Sequence, residues 1–272
     1  MKPTADISSA NESSTMLSRR AALRQGAVLA AGLMAAPSLM AAGTRRVVCW
    51  SEGTANVDPG SKGIYPDDIN TVIADGLKPL EARGWEVGKA SLNDPDQGLS
   101  VERLEKTDVL IWWGHKRHGD VKDELVARIV ERVNEGKMGF IGTHSAHFSK
   151  ALKRLLKAEC SWREYVADGT SAEIIVQLPD HPICKGVTNF KIKKIERYGE
   201  PYKVPTPDAV PLDGIYTRPD GRTEHGRMGM CWNVGQGRVF YFTPGHETYN
   251  DYHLPEVRRI FVNAVEWAAP TA

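Results

Sequence analysis

The sequence predicts an α/β fold, a parallel sheet flanked by helices with an added β region in its second half. Three observations carry this. Apolar runs alternate with helix-spaced segments from Arg45 to Leu156. The runs are continuous rather than every-other-residue, which fits strands covered on both faces. Beyond Ala172 the helical spacing disappears until Pro255, and short β-like segments take over.

The elements follow in order. Arg45–Trp50 is a short apolar run and the first strand. From Pro66 to Ala82, Ile69, Val72, Ile73, Leu77 and Leu80 recur at helical spacing, with Pro79 an awkward last-turn residue. Trp85–Ala90 reads as a strand, and Thr107–Trp113 as a continuous apolar strand ending at Gly114. Leu125, Val126, Ile129 and Val133 share one helical face within Val121–Val133. Lys137–Gly142 is the next strand and Phe148–Leu156 the next helix. Such alternation implies parallel strands joined by right-handed crossovers. In the second half, Ala172–Leu178, Phe190–Ile195, Ala209–Leu212, Met228–Trp232 and Val239–Phe242 read as β segments. The last element, Pro255–Ala268, places Val257, Ile260, Phe261, Ala264 and Val265 on one stripe. No linker or internal repeat interrupts this order.

Residues 1–43 read as an export signal rather than part of the fold. Ser18-Arg19-Arg20 precedes a short run rich in Ala and Gly (residues 26–36), with small residues at Ala41-Ala42-Gly43. Paired arginines before a weakly apolar run resemble a twin-arginine signal, and the run is too short for a stable membrane span. The expectation is a periplasmic protein whose folded part covers residues 44–272. A net charge of +1 over 272 residues gives no sign of a nucleic-acid partner. Cys49, Cys160, Cys184 and Cys231 are far apart and lack a CxxC pair. Buried free thiols are expected, and a zinc ribbon is not.

The histidines locate the site. His115 and His118 follow the Trp112-Trp113 strand, His144 and His147 follow the Phe140 strand, and His246 follows the Phe240 strand. Glu200 follows the strand-like run at Tyr198. Ligands of open parallel sheets bind outside the carboxyl ends of strands, so these loops are expected to share one rim. His181, His225 and His253 lack that context.

Tyr65-Pro-Asp-Asp-Ile, Trp112-Trp-Gly-His-Lys-Arg-His118, His144-Ser-Ala-His-Phe-Ser-Lys150, Tyr198-Gly-Glu-Pro201 and Pro244-Gly-His-Glu-Thr-Tyr249 resemble the motifs of the ThuA-like, trehalose-utilisation family. The resemblance runs from about Arg45 to Ala268. It implies a class I glutamine amidotransferase-like (flavodoxin-like) fold. It also implies a role in disaccharide or glucoside metabolism beside a dehydrogenase that oxidises a sugar to its 3-keto form. The amidotransferase elbow carries a nucleophilic Cys. The corresponding stretch here is Gly142-Thr-His-Ser-Ala-His-Phe148, with His144 at the elbow, so glutamine hydrolysis by a thiolate is not expected. After the first strand, only Glu52 stands where relatives often carry a charged stretch with a histidine.

Three chemistries are open. In acid–base work on a 3-keto sugar, His144, His246, His115 and Glu200 are the catalytic candidates, leading to isomerisation, elimination or net hydrolysis. In a metal-assisted reaction, His144, His246 and Glu200 hold a divalent ion. In a Ser-His-Glu hydrolase, Ser145 is the nucleophile, although it lacks the G-x-S-x-G frame. His118, His147, Lys150, Tyr198, Glu247 and Tyr249 are expected to touch a small-molecule sugar or glycoside. Asp120 and Glu247 are expected to orient histidines. A non-catalytic sugar-binding or interaction module is the alternative, and a homo-oligomer is compatible with either.

Overall fold

Alternation of side chains across each strand sorts the core into two layers. In the computed structural model, which describes residues 44–271, β1 (Arg45–Ser51) sends Val47 and Cys49 to one face and Val48 and Trp50 to the other. β3 (Val109–Trp113) does the same with Ile111 and Trp113 against Leu110 and Trp112. All five residues of β3 are buried, the property behind its continuous apolar run. Trp50 stacks on Trp112 at 3.6 Å between ring centroids, joining neighbouring strands on one face.

β2 (Trp85–Ser91), β1, β3, β4 (Gly139–Thr143) and β11 (Gly237–Phe242) lie side by side in parallel. α1 (Ile69–Gly76) and α5 (Pro255–Ala268) cover one face through Ile69, Ile73, Ile260 and Val265. α3 (Asp123–Asn134) and α4 (Lys150–Leu156) cover the other through Val126, Ile129, Leu152 and Leu155. The expected α/β architecture is present. Among the described residues no helix is long and apolar enough to cross a membrane. The export signal expected in residues 1–43 lies outside the described residues.

The second half extends the same sheet instead of forming a separate layer. β10 (Thr223–Val234), β9 (Ala209–Thr217), β6 (Ser171–Val176) and β7 (Phe190–Ile192) continue it antiparallel beyond β11, giving nine strands in the order β2-β1-β3-β4-β11-β10-β9-β6-β7. β5 (Trp162–Val166) and β8 (Arg197–Tyr202) pair only with each other and pack through Trp162, Tyr198 and Tyr202 on the α3/α4 face. The segment expected as one helix over 66–82 is divided. α1 ends at Gly76 and a 3-10 turn runs from Lys78 to Arg83, with Pro79 in its first turn, where a missing N–H costs nothing. A short α2 (Val101–Glu105) has no counterpart in the sequence reading, because five residues are too few for a periodic signal. All four cysteines are free and buried. Burial holds the thiols of Cys160 and Cys184 up at about 11, so they are unreactive at neutral pH.

Candidate functional site

Three parallel strands end at the same rim, and each delivers a histidine. After β4 the chain turns at His144, whose φ of +50° is left-handed, and passes through a 3-10 turn into α4. Histidine is among the residues that tolerate this conformation. The turn seals His144 under the rim, with 0% of its surface exposed. After β11, Gly245 at φ +129° lets the chain fold back. A Cβ there would stand 2.0 Å from the Tyr252 hydroxyl, so only glycine fits. Asp251 accepts the Gly245 N–H at 2.9 Å and Trp113 donates its indole N–H to the Gly245 carbonyl at 3.2 Å, fixing the loop that carries His246. After β3, the loop carrying His115 is held by Glu52. That buried carboxylate accepts the backbone N–H groups of Lys116 (2.6 Å) and Arg117 (2.8 Å) and the Thr54 hydroxyl (3.0 Å). Glu52, the charged residue singled out after the first strand, therefore braces a loop.

The cluster centres on a carboxylate that the sequence reading does not contain. His144 Nδ1 lies 2.9 Å from the Thr243 carbonyl, which can only accept, so Nδ1 carries a proton. Nε2 lies 2.9 Å from Glu196 Oε2 and 3.0 Å from the Tyr198 hydroxyl. A bare Nε2 against a carboxylate would place two acceptors in contact, so a proton lies between them and the resting pair is imidazolium and carboxylate. Burial alone would lower the His144 pKa. The Glu196 hydrogen bond and charge, with the Thr243 carbonyl, outweigh it and raise the value above the ordinary imidazole range. Burial likewise opposes ionisation of Glu196, and His144 with the charges of His246 and His115 reverses the sign, lowering its pKa.

His246 Nε2 lies 3.7 Å from the same Glu196 oxygen. Its Nδ1 accepts the Thr248 backbone N–H at 3.2 Å, so in the neutral ring Nε2 carries the proton and faces Glu196 as a donor. Burial and the nearby His144 charge lower its pKa, so the ring is neutral at pH 7. His115 joins through Ser145 Oγ at 3.3 Å from Nδ1 and Glu247 Oε1 at 3.2 Å from Nε2. Glu247 thus orients a histidine as expected, whereas Asp120 pairs with Arg117 at 2.9 Å. Ser145, His115 and Glu247 follow the hydroxyl–imidazole–carboxylate order of a nucleophilic triad. Ser145 is only 4% exposed, however, and shares its hydroxyl with Tyr198 at 3.3 Å, an anchoring position for His115.

Glu200 is a correction. Its carboxylate accepts Arg227 Nε at 2.7 Å, Arg227 Nη2 at 2.9 Å and the Tyr202 N–H at 2.7 Å, an ion pair away from the histidines. Glu196, just before β8, takes the place expected for it. β8 belongs to the separate two-stranded sheet, so the rule that ligands gather at the carboxyl ends of parallel strands does not apply to it. Glu200→Gln is expected to leave turnover within about three-fold and to lower stability by about 1–3 kcal/mol, the scale of a lost charged hydrogen bond. Thermal unfolding beside a kinetic assay checks both.

The expected sugar contacts divide. Tyr249 stays partly exposed with its ring 5.3 Å from His246, facing the site. Tyr198 is buried, stacked on His144 at 4.6 Å, and offers a ligand no face. Lys150 is also corrected: its ammonium donates to the Val121 carbonyl at 2.7 Å and ties α4 to the chain entering α3. His118 and His147 lie to one side of the cluster, beside Phe148. A cleft of about 370 Å³ lined by Arg46, Glu86, Arg103 and Lys106 lies apart from the histidines and holds none of them.

A family model, ThuA: Trehalose utilisation, matches residues 54–268. Among solved structures, the chain is similar to a ThuA-like protein from Parabacteroides merdae at 13% identity and TM-score 0.59, over 83% of this chain and 89% of that one. A Salmonella typhimurium protein described as cytoplasmic aligns at 15% identity and TM-score 0.54, over 74% and 87%. The β-galactosidase of Bacillus circulans aligns at 13% identity and TM-score 0.51, over 84% of this chain but 32% of the enzyme. Identities this low establish a shared fold only. No curated protein sequence matches the chain significantly.

Proposed function

The chain belongs to the ThuA, trehalose-utilisation family, which places it in carbohydrate metabolism, and from that premise we propose that it is an acid–base enzyme acting on 3-keto-glucosides. The single observation that carries this reading is the Glu196 carboxylate gripped on one oxygen by buried His144, with the donor ring of His246 beside it. A ketone at C3 of a pyranose makes the C2 hydrogen acidic. Glu196, 15% exposed where His144 is sealed, is the base that reaches substrate and removes that proton. His246 Nε2–H supplies a donor for the enediolate oxygen as its charge develops, and His115, whose two nitrogens face Ser145 and Glu247, lines the site beside it. Return of the proton to carbon completes an isomerisation. Departure of the C1 substituent with its bonding electron pair completes an elimination, and water can then add.

His144 acts through Glu196 rather than on substrate. Its imidazolium keeps the carboxylate ionised inside a partly buried site and fixes its orientation. The arginine-pair pattern of Ser18-Arg19-Arg20 supports an exported, periplasmic enzyme that meets glycosides before uptake, supplied by a dehydrogenase that forms the ketone.

A second reading rests on one specific observation. The donor atoms of His144, Glu196 and His246 lie within 4.8 Å of one another, a two-histidine, one-carboxylate set suited to a divalent ion. Such an ion would replace the proton shared by His144 and Glu196 and polarise a substrate carbonyl. Incubating the protein with 3-keto-trehalose, with and without chelator, separates the readings. The acid–base reading expects an altered sugar regardless of chelator. Chelator-sensitive turnover transfers the chemistry to a metal, and binding without turnover leaves a sugar-binding module.

A further inference from the structure

Large aromatic side chains on a protein surface sacrifice apolar burial, so two of them side by side at the edge of a polar site call for an occupant. Phe148 is 38% exposed and Tyr165 is 37% exposed, with ring centroids 5.6 Å apart. They come from different elements. Phe148 ends the turn that carries His144, and Tyr165 lies on β5 opposite Tyr198 of β8. The connection to the reacting centre is short. The Tyr165 ring lies 5.0 Å from Tyr198, which stacks on His144. Tyr249, partly exposed, lies 5.3 Å from His246, so aromatic rings approach the cluster both through Tyr198 and at His246. The Glu196 charge bears on both phenols, although burial is the larger cause of their raised pKa values.

A second observation points to a ligand. His147 is 1% exposed, lies 4.0 Å from the Phe148 ring and 5.2 Å from the Tyr165 ring, and among the described residues neither of its ring nitrogens has a hydrogen-bond partner. His118 Nε2, its ring 6.3 Å from that of Phe148, is likewise buried and unpartnered among the described residues. Buried polar atoms left unpaired are costly and rare in finished structures. Burial and the charges of His144 and His118 keep His147 neutral, so it offers one donor and one acceptor, the capacity that matches a hydroxyl.

We propose that Phe148, Tyr165 and His147 form a second sugar subsite, which holds the non-reacting ring of a two-ring glycoside while the oxidised ring lies between Glu196, His246 and Tyr249. A pyranose has an apolar C–H face and a hydroxyl edge. The first stacks on the exposed rings, and the second pairs with a nitrogen of His147, which is packed against both rings and meets the ligand when they part around it. This inference rests on the keto-glucoside reading and adds which residues hold the second ring of a disaccharide. Single-ring glucosides then lack half of their contacts.

The test reads binding apart from chemistry. Glu196→Gln protein is titrated calorimetrically with 3-keto-trehalose and with methyl 3-keto-α-glucoside, alone and combined with Phe148→Ala plus Tyr165→Ala. The two-ring ligand should bind roughly 10-fold more tightly than the one-ring ligand, the scale of aromatic contacts of this kind. The aromatic double change should erase that preference while leaving methyl 3-keto-α-glucoside affinity unchanged. Tyr165→Phe, which keeps the ring, should retain the preference. Equal affinities before the change, a preference that survives it, a loss affecting both ligands equally, or no binding of either overturns the subsite. A preference for two rings in protein that turns over neither sugar supports the subsite and rejects the acid–base reading instead.

Discussion

Glu196→Gln protein should lose about 10²- to 10⁴-fold in turnover of a 3-keto-glucoside, the usual worth of a positioned general base. The amide keeps the shape of the side chain and can pair with His144, now 2.9 Å from Glu196 Oε2, through its oxygen or its N–H, but it cannot take up a proton. The loss should therefore appear in kcat, with KM changing little, because the substitution removes an interaction used in the transition state more than in binding. His144 loses the carboxylate charge that sustains its own, so its ring reverts toward the neutral form that burial favours. Steady-state kinetics with product analysis and a circular-dichroism melt check the result. Full activity in folded protein removes Glu196 from the chemistry.

Much of this fold is legible in the sequence because the parallel half obeys simple periodicities. β3 and β4 are wholly buried, so their apolar runs are unbroken, and α3 and α5 show their core stripes. Three of the site's histidines are legible for the same reason, since the rule that places ligands beyond parallel strands applies directly to β3, β4 and β11. The antiparallel half is harder. β5 and β8 each offer only a few residues, β8 does not alternate cleanly in burial, and neither pairs with a neighbour in the main sheet. Glu196 sits before β8 in Lys193-Lys-Ile-Glu-Arg197, where it reads as one more solvated charge. Glu200 stands in the recognisable motif and draws attention away from it. The difference between them is tertiary: Arg227, on β10, claims Glu200, and the elbow histidine claims Glu196. Phe148 and Tyr165 carry no local sign of exposure, because each stands in a mixed polar and apolar stretch, Ala146-His-Phe-Ser149 and Arg163-Glu-Tyr-Val166, where a large aromatic reads as core.

His144→Asn tests the other half of the pair through its pH dependence. Asparagine tolerates the left-handed backbone at this position, so the change isolates the lost imidazolium from the strain of the turn. The lowered pKa of Glu196 contributes stability that is present above its unfolded value of about 4.3 and is lost as pH falls through the folded value. The raised pKa of His144 contributes stability that is present below its unfolded value of about 6.5 and is lost as pH rises through the folded value. The two contributions overlap between those unfolded values and decline on either side. Wild type minus variant stability should accordingly trace a broad maximum between about pH 4 and 6.5. Its height should be about 2–4 kcal/mol, somewhat below the cost of breaking a fully buried pair because Glu196 retains some exposure. Turnover should shift in the matching direction. Without the imidazolium, burial governs Glu196 and raises its pKa above the ordinary carboxylate range, so the acid limb of the rate profile moves toward neutrality. The variant should be more impaired at pH 5.5 than at pH 8. Chemical denaturation and rate profiles across this range check both curves. A stability difference that does not vary with pH would mean that His144 and Glu196 share no ionic bond in solution.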